Sequence, residues 1–143
     1  MDDILNATLA GGVAAGSASG LLYYPAFALL IGVLAGIIST CGFKYLTPIL
    51  ENKIGLYDTC GINNLHGIPG ILGGLYSAII VAFYGWGYDH DIASQYGPSN
   101  IFQSVHGTFS HQAWLQVAGT FVSVGLGIVF GLIAGKIIGF FYK

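Results

Sequence analysis

Residues 59–84 read TCGINNLHGIPGILGGLYSAIIVAFY, a run without a single Asp, Glu, Lys or Arg. A helix needs roughly 20 apolar residues to cross a bilayer, and this run is long enough. Asp58 and Thr59 at its start read as a helix cap, because an Asp carboxylate accepts from the free N–H groups of a first turn. Pro69 lies inside the run and predicts a kink, since its ring removes one backbone hydrogen bond. Helical spacing divides the run into two faces. Thr59, Asn63, His66, Gly70, Gly73 and Ser77 recur at steps of three and four as a stripe of small and polar groups. Leu65, Ile68, Leu72, Leu75 and Ile79 make the opposite, apolar stripe. A polar stripe on a membrane helix belongs against protein or a water path rather than lipid.

The rest of the chain has the same character. Residues 4–43 and 92–135 also contain no Asp, Glu, Lys or Arg. Such residues make up 7% of the whole, against about a quarter in a soluble domain. An apolar soluble protein would still need polar faces, which this chain lacks. Gly occurs 23 times, and in membranes it lets helices approach closely. The expected fold class is therefore an all-α membrane protein of four transmembrane helices, at about residues 4–22, 26–46, 59–84 and 111–141. Tyr23, Tyr24 and Pro25 separate the first two, Thr47 and Pro48 end the second, and residues 85–110 form a polar loop. The fourth span exceeds a perpendicular crossing and predicts a tilt.

Lysines set the expected orientation. The 4 positive residues, Lys44, Lys53, Lys136 and Lys143, all lie on or near the side shared by the 47–58 connection and the C-terminus. Loop 85–110 has none. The positive-inside rule then makes both termini cytoplasmic and the loop external. The acidic opening Met1-Asp2-Asp3 does not read as a signal peptide.

Among the side chains in the spans, His66 stands out. It lies about 10 Å into its helix at 1.5 Å per residue. Within a bilayer an ionisable residue is a functional candidate. Imidazole donates at one nitrogen and accepts at the other, which suits a conduction site. The competing reading is a core histidine satisfied by a nearby carbonyl or hydroxyl. Asn63 and Asn64 are candidates to orient His66, or else helix-end hydrogen-bonding groups beside Asp58. Gly127, Gly131, Gly135 and Gly139 follow at steps of four, with Gln116, Thr120 and Ser123 upstream. They form a ridge for close packing against another helix, and Gly32 and Gly36 form a shorter one.

Other chemistry is not expected. Asp89, His90, Asp91, His106 and His111 match no strong metal-ligand spacing, so no metal and no cofactor is expected. No span holds a nucleophile–base pair, so no enzyme is expected. A net charge of −2 leaves no nucleic-acid footprint. Cys41 and Cys60 read as small buried hydrophobes. The sequon Asn6-Ala7-Thr8 falls at a cytoplasmic helix end and is expected to be silent.

Three stretches carry a resemblance. NATLAGGVA (6–14), GIIST (36–40) with YLTP (45–48), and DTCGINNLHGIPGILGG (58–74) resemble the Rh glycoprotein branch of the ammonium transporter family. The third run, with Asp58, Thr59, His66, Gly67 and Pro69, is similar to a diagnostic signature of that branch. The fourth span resembles the family's long last helix by pattern. The resemblance implies two inverted five-helix halves plus a final helix, assembled as a trimer in the plasma membrane. It implies a pore in each subunit, lined by one histidine from each half, and His66 matches the second. It implies that ammonium is deprotonated on entry and that ammonia passes the pair. The expected partners are thus ammonia or ammonium, the lipid bilayer, and further copies or full-length family members in a trimer. The first pore histidine, the outer aromatic gate and the entrance acid belong to helices this chain does not contain. Inverted-repeat transporters build their site between the repeats, so the pore is expected to be incomplete without those N-terminal helices. The alternative expectation is an inactive truncated or structural membrane protein that packs with full-length subunits.

Overall fold

The computed structural model describes residues 1–22, 24–84 and 109–142. Among them the secondary structure is entirely helical. Helix α1 covers Asp2–Ala18, followed by one 3₁₀ turn at Ser19–Leu21. Helix α2 runs through Pro25–Ile54, with Pro25 at its first turn. Helix α3 begins with a wide π turn at Asn63–Gly67 and continues as α-helix through Ile68–Tyr84. Helix α4 is the long rod Phe109–Phe141. Among the described residues four helices are long and apolar enough to cross a membrane. The chain is an all-α membrane protein.

α2 does not end at Thr47-Pro48 as its composition suggests. It continues to Ile54 because π turns at Gly42–Leu46 and Leu50–Ile54 flank the short α-helical piece Thr47–Ile49. The Thr47 N–H reaches back to the Gly42 carbonyl. That wide register carries the ladder past the N–H that Pro48 lacks. The true stop is Gly55, whose φ of 70° is a left-handed conformation open to glycine. Its N–H bonds Glu51 O at 3.2 Å and the Leu56 N–H bonds Leu50 O at 3.2 Å, closing the last carbonyls.

Small residues set the packing. α1 lies against both α2 and α3, and α4 packs mainly on α3. A Cβ on Gly11 would lie 3.1 Å from the Gly32 carbonyl oxygen, and one on Gly36 would lie 3.3 Å from Ala7 Cβ. Ala10, Ala14, Ala18, Ile31 and Ala35 are buried between the helices, with Leu72 and Tyr76 of α3 against them. Leu29, Val33, Leu34 and Ile37 of α2 and Phe130, Leu132 and Phe140 of α4 point outward. Large apolar groups outside and small ones inside suit lipid, where closeness of backbones rather than apolar burial drives association. Polar ties add to it. Tyr76 Oη donates to Phe27 O at 3.2 Å, and Ser77 Oγ donates to Gly74 O at 2.7 Å while lying 3.3 Å from Gln116 Oε1 of α4.

Candidate functional site

The site begins at the turn that enters α3. The Asp58 carboxylate accepts from Ile62 N at 2.9 Å and from Asn63 N at 2.8 Å. It thus caps from four and five residues ahead, and the helix starts at residue 62 rather than 59. Asp58, Thr59 and Cys60 form a turn closed by Gly61 N to Asp58 O at 3.1 Å. Gly61 has φ of 66°, and the Phe43 ring of α2 occupies the space a Cβ there would need. Only glycine satisfies both demands.

The π turn follows. The Ile68 N–H bonds the Asn63 carbonyl, five residues back. Each π turn takes one more residue than an α turn, so the helix phase shifts across it by about 100°. That breaks the even helical spacing from which the polar stripe is read. Above the turn, Gly73 and Ser77 are buried, Gly73 against α1 and Ser77 beside α4. Within it, Asn64 and Leu65 are buried while His66 and Gly67 are exposed, as is Ile62 before it. Leu65 and Leu72, assigned by spacing to the apolar outer stripe, face inward. Pro69 is fully buried just past the turn. Its missing N–H coincides with the place where the ladder changes register.

Asn64 is completely buried. Its Nδ2 donates to Thr47 Oγ1 of α2 at 2.7 Å, and its Oδ1 accepts from Asn63 Nδ2 at 3.4 Å. A Cβ on Gly42 would lie 2.5 Å from Asn64 Oδ1. The hydrogen bonds of the two asparagines run to each other and to Thr47, and none runs to His66 among the described residues. Gly42 and Phe43 carry no signal in the sequence, and Thr47 reads there only as the end of the second span. They meet α3 across 17 or more residues of chain, and no local spacing marks such a contact.

The remaining candidates separate. Gly32 and Gly36 line the α1–α2 contact. Among the described residues, a Cβ on Gly127, Gly131, Gly135 or Gly139 would meet nothing within 4 Å. Only the upstream part of that ridge is occupied, with Thr120 over Gly74 and Gln116 beside Ser77. Cys41 and Cys60 are exposed, not buried, because α1 leaves an apolar groove open beside Cys41 and Cys60 sits in the entry turn. Among the described residues no cluster of His, Cys, Asp or Glu has the geometry to hold a metal. Asp89, His90, Asp91 and His106, with most of loop 85–110, lie outside the described residues, and so does the His111 side chain.

The model of the Ammonium Transporter Family matches residues 1–143. This chain belongs to the ammonium transporter family. It is 43% identical over 145 residues to the human protein named ammonium transporter Rh type C, covering 96% of this chain and 29% of that relative. It is 44% identical over 146 residues to ammonium transporter Rh type B of Oryzias latipes, with the same coverage of both chains. The Rh type C protein of Xenopus laevis is 44% identical over 142 residues. These matches put the ammonium transporter chain in the Rh branch, as the run at 58–74 suggested. The Rh-branch chain spans under a third of the length of the curated relatives it matches.

Proposed function

We propose that this Rh-branch chain supplies the His66 side of an ammonia-conducting path, closed by the N-terminal helices that the family resemblance implies. The observation that carries this is the exposure of His66 on a helix that otherwise reads as a membrane span. An ionisable group at membrane depth belongs against protein or a water-filled path, not lipid. The side of the π turn that bears Ile62, His66 and Gly67 is then the surface on which the second half of the subunit closes.

The chemistry follows from the donors and acceptors. Ammonium has four N–H donors and no lone pair, whereas ammonia has both. A neutral imidazole presents one donor and one acceptor. It can hand ammonia onward through an apolar path, after the ion has lost its proton at the entrance. Asp58, by holding the first turn, and Gly67 and Pro69, by shaping the segment beyond it, support the backbone that carries His66. The termini are cytoplasmic in this reading, the membrane is the plasma membrane, and the complete subunits form a trimer.

The open glycine ridge of α4 favours a second role beside the first, that of a surface for packing against full-length subunits. The test of the main reading is flux. Purified into liposomes, the 143-residue chain is expected to leave ammonia and methylammonium permeability at background. Joined to the N-terminal part of the human Rh type C relative, it is expected to conduct. Transport by the chain alone would refute the need for a second half.

A further inference from the structure

We infer that Asn64, Thr47 and Gly42 form a clamp that locks the π turns of α2 and α3 together and thereby sets the direction of His66. This rests on the reading of His66 as a conduction residue.

Gly42 and Thr47 bracket the π turn Gly42–Leu46 of α2, and Asn64 lies inside the π turn Asn63–Gly67 of α3. One buried side chain therefore holds both wide turns. Its amide donates to Thr47 Oγ1 at 2.7 Å, and its carbonyl oxygen fills the space over the bare backbone of Gly42. A buried amide that loses its partner is costly, so this contact is strongly specified. Wide turns are short, uncommon and often found at functional sites. Left alone, this one could relax to α geometry, and the residues after it would rotate by about 100°. Asp58 fixes the backbone at Ile62 and Asn63, where the turn begins. Asn64 fixes its middle. His66 comes two residues later on the opposite, exposed side. Its aim thus depends on α2, although the clamp's hydrogen bond runs to Thr47 and not to the imidazole. These three are positioning residues, and their effect passes through His66.

The test uses the complete subunit, this chain joined to the N-terminal part of the human Rh type C relative, in proteoliposomes. Ammonia and methylammonium flux are measured per folded molecule by stopped flow for His66→Ala, Thr47→Ser, Thr47→Val, Asn64→Ala, Gly42→Ala and selected pairs. Thr47→Ser keeps the hydroxyl and is expected to conduct like the parent. Thr47→Val and Asn64→Ala are expected to lower flux about tenfold and to change the methylammonium-to-ammonia ratio, as small misplacements of a functional group do. Combined with His66→Ala, either is expected to add nothing, since coupled residues are non-additive. Gly42→Ala is expected to be harmful alone and harmless beside Asn64→Ala, which vacates the space. Thr47→Val keeps the shape of the side chain, so it decides the matter if Asn64→Ala does not fold. Native flux and native ratio in Thr47→Val, with His66→Ala altered, would overturn the clamp alone. So would losses that add in the His66→Ala background. An unaltered His66→Ala would overturn the reading of His66 and the clamp with it.

Discussion

Gly73 of α3 lies directly on Ala14 of α1, so that a Cβ at residue 73 would strike the Ala14 carbonyl and the Ser17 hydroxyl. The Ala14 backbone cannot swing away as a side chain could. Gly73→Ala is therefore expected to destabilise the fold by about 1–3 kcal/mol, the cost of overpacking a tight contact. Gly16 faces open space, and Gly16→Ala is expected to be neutral or stabilising by about 0.5–1 kcal/mol. Thermal unfolding of the two variants in detergent checks the contrast, and equal melting temperatures would contradict it.

Ser39 is fully buried on α2, and its hydroxyl has no hydrogen-bond partner among the described residues. Removing an unsatisfied buried group relieves its desolvation cost. Ser39→Ala is expected to leave stability unchanged or raise it by about 1 kcal/mol. A clear loss in the same unfolding assay would mean that the hydroxyl is bonded.

The lysine distribution makes a topological prediction. Cys41 and Cys60 are exposed, so both are first replaced by serine. A single cysteine at Gln95 is then expected to react with a membrane-impermeant thiol reagent added outside intact cells. One at Asn52, in the last turn of α2, is expected to stay unlabelled. Labelling of both, or the reverse, would reject cytoplasmic termini.

The glycine ridge of α4 separates folding from assembly. Gly131 and Val129 are both exposed, and no described residue lies within 4 Å of where a Cβ on Gly131 would sit. Gly131→Leu is expected to leave the chain folded yet greatly reduce the oligomer recovered in mild detergent, because the ridge needs bare backbone. Val129→Leu is expected to preserve it. Equal oligomer from the two variants would remove the ridge from any interface.

The spans were legible because absence of charge over 20 or more residues leaves little but a membrane helix. The signature around His66 was legible as a string of residues. The direction of those residues was not. Even spacing assigned His66, Gly73 and Ser77 to one stripe, and the π turn at Asn63–Gly67 puts His66 outside and the other two inside. Pro48 read as a stop for the same reason, since in a helix of uniform pitch it costs a hydrogen bond and a clash, whereas π turns flank it here. The contact of Asn64 with Thr47 was invisible because it depends on how two such turns meet. Periodicity reports the face of a residue only while the pitch is constant.

His66→Ala bears most directly on the central claim, that His66 lines the conduction path. The measurement is ammonia and methylammonium flux through the joined subunit in proteoliposomes, with and without His66→Ala, and with His66→Leu as a second variant that fills the space but cannot donate or accept a proton. The account predicts that both substitutions change the rate or the ammonia-versus-ammonium selectivity, and that they do so alike. Flux and selectivity indistinguishable from the parent in both variants would contradict it and leave His66 with no part in transport.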